Sequence, residues 1–331
     1  MSEATIYELA VIGRAKWDLH SLNNEGSIGN VTEPRTVMLA DGTKSDGVSG
    51  EMLKHIHVHT LWQIAQGDLP LCSNCRHLEP NKANKADHLK DGDPPEEAMQ
   101  ASISQCALCD LHGFLVEKPT INRSSCIEFG WAVGLPGRNH RDLHLHARHA
   151  VGDRAKPKAK QSAPAKKDAS NQQASGDQVA EDQAGTSQMV YHRPTRSGEY
   201  AVVSVFKPWY IGLEHFDYTY VIDHEERCQR FRAAMRAYQA MFWQPDGAMT
   251  TTRLPHVEGF EGAVVVSRSN LPVPVVSALG TDPDYREELA DLVATIGGQL
   301  EVHTYDSMAG FVKVMDTLAN DGEPFTLSKG A

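Results

Sequence analysis

Two Cys-x-x-Cys pairs, Cys72 with Cys75 and Cys106 with Cys109, carry the most specific chemistry in this sequence. The two-residue spacing lets both thiolates of a pair reach one ion, and two pairs complete a tetrahedral shell for zinc. Such a shell is closed and leaves no position for water, so it predicts a structural site rather than a catalytic one. The span between the pairs is polar and interrupted by Pro80, Pro94 and Pro95. It cannot fold by burial alone, whereas a structural zinc contributes on the order of 10 kcal/mol of apparent binding free energy. Four unrelated buried thiols, or two disulfides, are the other uses of the same residues. Cys126 and Cys228 fall outside the pattern and are expected as inert buried thiols.

Histidines form two further groups. His55 and His59 stand four residues apart on one helical face, with His57 between them. A metalloprotease motif needs a Glu between such a pair, and Ile56 and His57 hold those positions instead. His144, His146 and His149 lie among Arg138, Arg141 and Arg148. Were the two groups to meet in space they could hold a catalytic metal; apart, they are hydrogen-bonding or RNA-facing histidines.

Two stretches have the chemistry of a phosphate seat. Arg14 and Lys16 precede a loop containing Asn23, Asn24, Gly26, Gly29 and Asn30, which leads to Arg35. Glycines allow close backbone approach, and amides and guanidinium groups donate; an ordinary turn has the same composition. Next, Ser49 precedes a helix whose first turns carry Lys54 and His55, and free N–H groups at such a start can hold an anion. Glu51 in that turn opposes one, and a well-capped helix is the plainer reading. No nucleophile elbow, P-loop, dinucleotide fingerprint or kinase signature is present, which weakens most enzyme readings.

At 331 residues the chain can form one large or two ordinary domains. The net charge of -11 weakens a nucleic-acid reading without removing it, because charge is unevenly spread. Acidic residues concentrate in 87–97 and 177–182, whereas 138–167 is dense in Arg, Lys and His. No apolar run approaches the ~18 residues that cross a bilayer, and a reducing cytoplasm suits paired thiols.

The elements that must position these groups follow from periodicity. A strand is expected over 6–17, a polar loop over 21–46, and a helix over 50–66 with Leu53, Ile56, Leu61 and Ile64 facing the core. A zinc-binding flap over 67–112 interrupts the chain before a strand near 126–133. Residues 152–190 read as a low-complexity flexible loop inside one domain spanning 1–331, because strands at 199–206 and 216–222 resume after it. Asp223 and Glu226 form a capping box for a long helix. A strand at 263–267, a helix at 285–296, a strand at 300–304 and a helix at 307–319 complete the order. The expected class is α+β, with a modified RRM or ferredoxin-like βαββαβ core.

Taken together, the N-terminal words Arg14-x-Lys16, the 22–30 loop, Arg35 and the 48–55 helix start resemble the DevR-type CRISPR-associated proteins. Gly134 with Leu135 and Pro136, His146-x-Arg148-His149, and the 197–203 run entering a strand resemble that family too. Its members belong to the RAMP superfamily and are backbone subunits of type I Cascade surveillance complexes. The resemblance implies a non-catalytic, antiviral RNA-binding protein whose copies form a helical filament along a CRISPR RNA, beside other Cascade subunits and with no membrane partner. The resemblance further implies a thumb-like hairpin near 150–196 that displaces bases, and a guide that pairs with target DNA. It also implies an RNA groove lined by Arg14, Lys16, Asn23, Asn24, Asn30, Arg35, Ser49, Lys54 and His55, continued by Arg138, Arg141, His146 and Arg148. The alternative is an RNA-cleaving backbone subunit or a zinc-dependent nuclease, for which Asp18, Asp41 and Asp46 are the carboxylates to examine.

Overall fold

The computed structural model describes residues 4–149, 188–280 and 284–328, with side chains for all of these except 147–149 and 188–190. Most of the expected flexible loop at 152–190 therefore lies outside the described residues.

The chain begins with β1 (Thr5–Ile6) and the long β2 (Glu8–His20). The segment expected as a polar loop is instead paired: β3 (Asn24–Ile28) forms a hairpin with β4 (Val31–Pro34), and β5 (Thr36–Met38) pairs with β6 (Lys44–Val48). Residues 25–30 are exposed, so no hydrophobic alternation marks this hairpin in the sequence; Gly29, at φ 57°, makes its turn. Helix α1 (Gly50–Ala65) follows, with Ser49 as its N-cap accepting from Met52 N–H. Three short helices, α2 (Ser73–Arg76), α3 (Pro95–Ser104) and α4 (Ala107–His112), build the cysteine-bearing flap. A small hairpin of β7 (Phe114–Val116) and β8 (Ile121–Arg123) leads to β9 (Ile127–Phe129), β10 (Ala132–His149) and β11 (Gln188–Phe206). Then come α5 (His224–Met241), β12 (His256–Ser267), α6 (Tyr285–Ile296), β13 (Leu300–Tyr305), α7 (Met308–Asp321) and β14 (Glu323–Pro324).

The main sheet runs β13-β12-β2-β11-β10-β6-β5, with neighbours antiparallel along that path. It is broader than the four strands expected, because β13 extends one edge and β6 and β5 the other. Residues 216–222 do not form the expected strand. The buried Glu214 carboxylate accepts the N–H groups of Phe216, Asp217 and Thr219 and bends this stretch into a loop. A local carboxylate supplies the acceptors a neighbouring strand would have given.

The sheet has two differently covered faces. Leu9, Val11, Ala15 and Trp17 of β2 pack with Leu53 and Ile56 of α1, Phe231 and Tyr238 of α5, and Phe311 of α7. Ala10 and Ile12, pointing the other way, pack with Tyr285 and Leu289 of α6. Strand alternation thus sends successive β2 residues into two separate cores.

Asp110, directly after Cys109, fastens the flap to the core. Its fully buried carboxylate meets the buried Arg123 guanidinium and, at 2.8 Å, that of Arg230 on α5; the Gly212 N–H also donates to it. Arg123 further donates to the carbonyls of Leu213 and Tyr210, and Arg230 to those of Ile103 and Ser104. Removing one partner of a buried ion pair strands the other charge, at a cost of about 3–5 kcal/mol. Asp110→Ala is accordingly expected to lower the unfolding free energy by about that amount in urea titration. A loss well under 1 kcal/mol would show that the two arginines are satisfied without it.

Candidate nucleic-acid interface and metal centre

Cys72, Cys75, Cys106 and Cys109 are buried and unbridged, and their four sulfur atoms lie within 4.8 Å of one another. Cys72 stands before α2 and Cys106 before α4, so each pair wraps one helical turn around the same point; Cys106 Sγ accepts from Cys109 N–H. Cys109 Sγ lies 3.9 Å from Cys72 Sγ and 3.7 Å from Cys75 Sγ. Four sulfurs each 2.3 Å from a tetrahedral zinc are about 3.8 Å apart, so this cluster has the dimensions to hold a metal. Hydrogen bonds from the other three sulfurs hold the Cys106 thiol well below its ordinary value.

A cationic, histidine-lined layer lies beside the cluster. Lys82, in the flap, donates to the carbonyls of His112 and Gly113, and burial pushes it down to about 8. His57 Nε2 approaches the Ala234 carbonyl at 3.2 Å, so that nitrogen carries the proton; His57 Nδ1 then accepts from His112 Nε2 at 3.0 Å. Complete burial keeps His57 neutral, pushed down to about 3. His57 is thus a core histidine, and it does not join the hairpin histidines in a metal site. A cavity of about 320 Å³ opens between α1 and the flap, lined by Lys54, His55, Lys82 and Glu79. Burial lowers both Lys54 and His55 from their ordinary values, and the His55 ring packs against Gly247.

The 22–30 loop, Arg35 and the 48–55 helix start meet at one joint. Asn23 Oδ1 accepts the Ser49 N–H at 2.9 Å, tying the strand end to the helix cap. Arg196, buried at the base of the β10–β11 hairpin, donates to the Asn23 carbonyl at 2.6 Å and to the Gly47 and Arg35 carbonyls. The helix start is not an open anion seat, however. Ser49 Oγ takes the Met52 N–H, and Glu51 accepts hydrogen bonds from Ser49 and from its own amide, which hold its carboxyl below the usual range. Arg35 lies over Trp131 and pairs with Glu25 at 3.0 Å. Asn24 is half-buried against Ser21, and Asn30 is exposed, its carbonyl accepting from His192 N–H.

Arg14, Lys16 and Arg138 stand apart from that joint. They open on the α6 face of the sheet, opposite the side that carries α1, and line a cavity of about 230 Å³ with Glu199, Glu261 and Asp306. Arg14 donates to the Ala278 and Gly280 carbonyls and sits over the Tyr285 ring. Lys16 pairs with Glu258, and Arg138 pairs with Glu199 at 2.9 Å. Strand direction, invisible in a word such as Arg14-x-Lys16, decides this separation.

Past the last β2 pairing, Arg196 with His20, the β10–β11 hairpin continues from Asp142 opposite Thr195 to His149 opposite Gln188. One of its faces gathers His144, His146, Tyr191 and Arg193. His146 stacks on Tyr191 with ring centres 5.4 Å apart, accepts from Arg253 at 2.9 Å, and Arg193 lies over Tyr191. Arg141 projects from the other face and is exposed; Arg148 is placed by its backbone alone. Asp18, Asp41 and Asp46 are not brought together. Asp41 accepts the Thr43 N–H in an exposed turn, Asp18 lies beside Glu258, and Asp46 is buried near Arg196 and Arg141, its carboxyl raised by burial.

The profile of the family described as the CRISPR-associated negative auto-regulator DevR/Csa2 matches residues 11–290. The chain belongs to the DevR/Csa2 family. A relative from Thermoproteus tenax, described as CRISPR-associated protein Cas7/Cst2/DevR, is 26% identical over 289 residues, covering 85% of this chain and 80% of its own. Chains of two solved structures are also similar. One is from a CRISPR RNA-guided surveillance complex in a pre-nicking state, with TM-score 0.49, 12% identity, and coverage of 97% of this chain and 96% of its own. The other is from a CRISPR RNA-guided surveillance complex, with TM-score 0.45, 10% identity, and coverage of 95% and 98%.

Several residues that organise this DevR/Csa2 chain escape motif reading. Arg196, Asp110, Arg253 and Lys82 belong to no recognisable word, and only long-range contacts give them their partners. Arg196 donates to carbonyls on three segments distant in sequence, so Arg196→Ala is expected to loosen their joint, each charge-assisted hydrogen bond lost costing about 1.5–3 kcal/mol, while the Asn23 and Arg35 carbonyls keep the N–H groups of Arg35 and Gly47. The measurement is amide hydrogen exchange at residues 21–49. Unchanged protection there would assign the joint to Asn23 and Ser49 alone.

Proposed function

We propose that this protein is a non-catalytic backbone subunit that grips a CRISPR RNA by its sugar–phosphate chain. Copies of it polymerise along the guide in a type I Cascade surveillance complex, in the cytoplasm, and the guide's bases remain free to pair with target DNA. The observation that carries this reading, beside membership of the DevR/Csa2 family, is the projecting β10–β11 hairpin with its histidine, tyrosine and arginine face. Stacked rings and guanidinium groups suit a single strand of nucleic acid, whose every base offers a π-face. In this reading the core is a modified RRM or ferredoxin-like unit, and the hairpin acts as the thumb. The backbone runs past Arg141, His146 and Arg148 to Arg35, Asn23, Asn24, Asn30, Lys54 and His55, with Ser49 holding the helix start.

The same reading assigns a structural zinc to Cys72, Cys75, Cys106 and Cys109. Four thiolates around one Zn2+ leave two net negative charges, and the ammonium groups of Lys82 and Lys54 stand near to balance them. Zinc would hold the flap that forms one wall of the Lys54 cavity. Among the described residues no helix is long and apolar enough to cross a membrane.

Binding of labelled CRISPR RNA, followed by fluorescence anisotropy across a salt series, tests the role. Affinity is expected to fall by roughly 0.7 log units per log of salt for each phosphate neutralised, alike for guide and scrambled sequences. Arg141→Ala with His146→Ala should weaken both RNAs equally. Salt-independent binding, or cleavage of a complementary RNA in the presence of divalent metal, would overturn the proposal. Cys72→Ser is expected to lower bound zinc by one equivalent per chain while α5 and the main sheet keep their circular dichroism. Undiminished zinc would exclude Cys72 from the ligand set.

A further inference from the structure

We propose a second metal site, open to solvent, formed by His224, Cys228 and Glu323. It shares no residue with the four-cysteine cluster and does not depend on the RNA-binding role. His224 and Cys228 are four residues apart on α5 and so present their side chains on one helical face. Glu323 comes from β14 at the other end of the chain. Together their ligand atoms lie within 4.8 Å of one another.

The spacing matches a common metal. His224 Nε2 stands 3.5 Å from Cys228 Sγ and 3.1 Å from Glu323 Oε2. A tetrahedral zinc bound at ordinary lengths to nitrogen, sulfur and oxygen separates those pairs by about 3.6 Å and 3.3 Å. Both contacts land on the same ring nitrogen. A proton relay would use the two nitrogens of the ring separately, whereas convergence of three donors on one point is what a shared ion requires.

The donor set also indicates the ion. Thiolate and imidazole favour zinc, whereas magnesium and calcium take oxygen shells. Binding releases the Cys228 thiol proton and uses the neutral imidazole. The positive end of α5 and the nearby Arg232 disfavour a cation, whereas Glu225 and the site's own thiolate and carboxylate favour one. Arg227 is turned away, its guanidinium donating to Ile211, Phe325 and Thr326. His224 is 53% exposed and Glu323 34%, so the fourth position faces solvent and is open to water or to a ligand from another chain. Because Glu323 N–H donates to the Ala4 carbonyl, a bound ion would clip both ends of the chain to α5.

The test counts metal on the full-length protein. Wild type, His224→Ala and Cys228→Ser are equilibrated with excess Zn2+, freed of unbound metal by gel filtration, and assayed by atomic emission. Wild type is expected to hold one zinc per chain more than either variant, all three having equal circular dichroism. The exposed position of His224 makes its variant safe for folding. Substitution with Co2+ gives an independent reading: the wild-type minus Cys228→Ser spectrum should contain a thiolate-to-cobalt charge-transfer band. Equal zinc in all three proteins, or a flat cobalt difference spectrum, would overturn the site; loss of zinc confined to Cys72→Ser would assign all the metal to the four-cysteine cluster.

Discussion

The buried Asp110 carboxylate is the constraint on which the rest of this structure depends. It joins Arg123 and Arg230 and accepts the Gly212 N–H, so the flap with the strand after it and the 212–230 region, about a hundred residues away, share one charge centre. Such a centre is costly to assemble unless every donor and acceptor is matched. Here the arginines spend their remaining donors on carbonyls of the flap, α3 and the loop after β11, and Arg230 also pairs with the Glu226 carboxylate one turn earlier on α5. The flap is therefore positioned by the same residue stretch that carries its cysteines. Cys109 and Asp110 are neighbours, so cluster geometry and docking geometry cannot vary independently.

Another buried cation, Arg196, does for the N-terminal segments what Arg230 does for the flap. It draws the carbonyls of Asn23, Arg35 and Gly47 to the base of the long hairpin. With Asn23 accepting from Ser49, the strand end, the helix cap and the hairpin become one rigid corner. In the proposed role of gripping an RNA strand, such preorganisation would leave only the strand to lose freedom on binding.

The net charge of -11 conceals two different charge environments, which bears on the proposed RNA-binding role. On the α6 face, Lys16 and Arg138 are each matched by a glutamate, and Arg14 is spent on backbone carbonyls. On the hairpin, His144, His146, Arg193 and Arg253 gather around Tyr191 instead. Overall charge averages these two environments and describes neither.

The sequence by itself determined the elements whose signals are local. The Ser49 cap and the α1 core stripe, the Asp223 cap of α5 and the boundaries of α6 are all present where periodicity and capping chemistry put them, although Glu226 turns to Arg230 instead of closing a capping box. It also determined the four-cysteine grouping, because two knuckles of fixed spacing have few other uses. The β3–β4 hairpin was not legible, since exposed strands carry no alternation, and the 216–222 loop was not, since Glu214 replaces a strand partner. Only the tertiary structure decided which cations share a surface. Successive strand residues face opposite sides, so Arg14 and Lys16 parted from Ser49 and Lys54 once β2 took its place between β12 and β11. The roles of Asp110 and Arg196 were likewise fixed only by folding, because a buried charge acquires meaning from partners that the chain brings together over long separations.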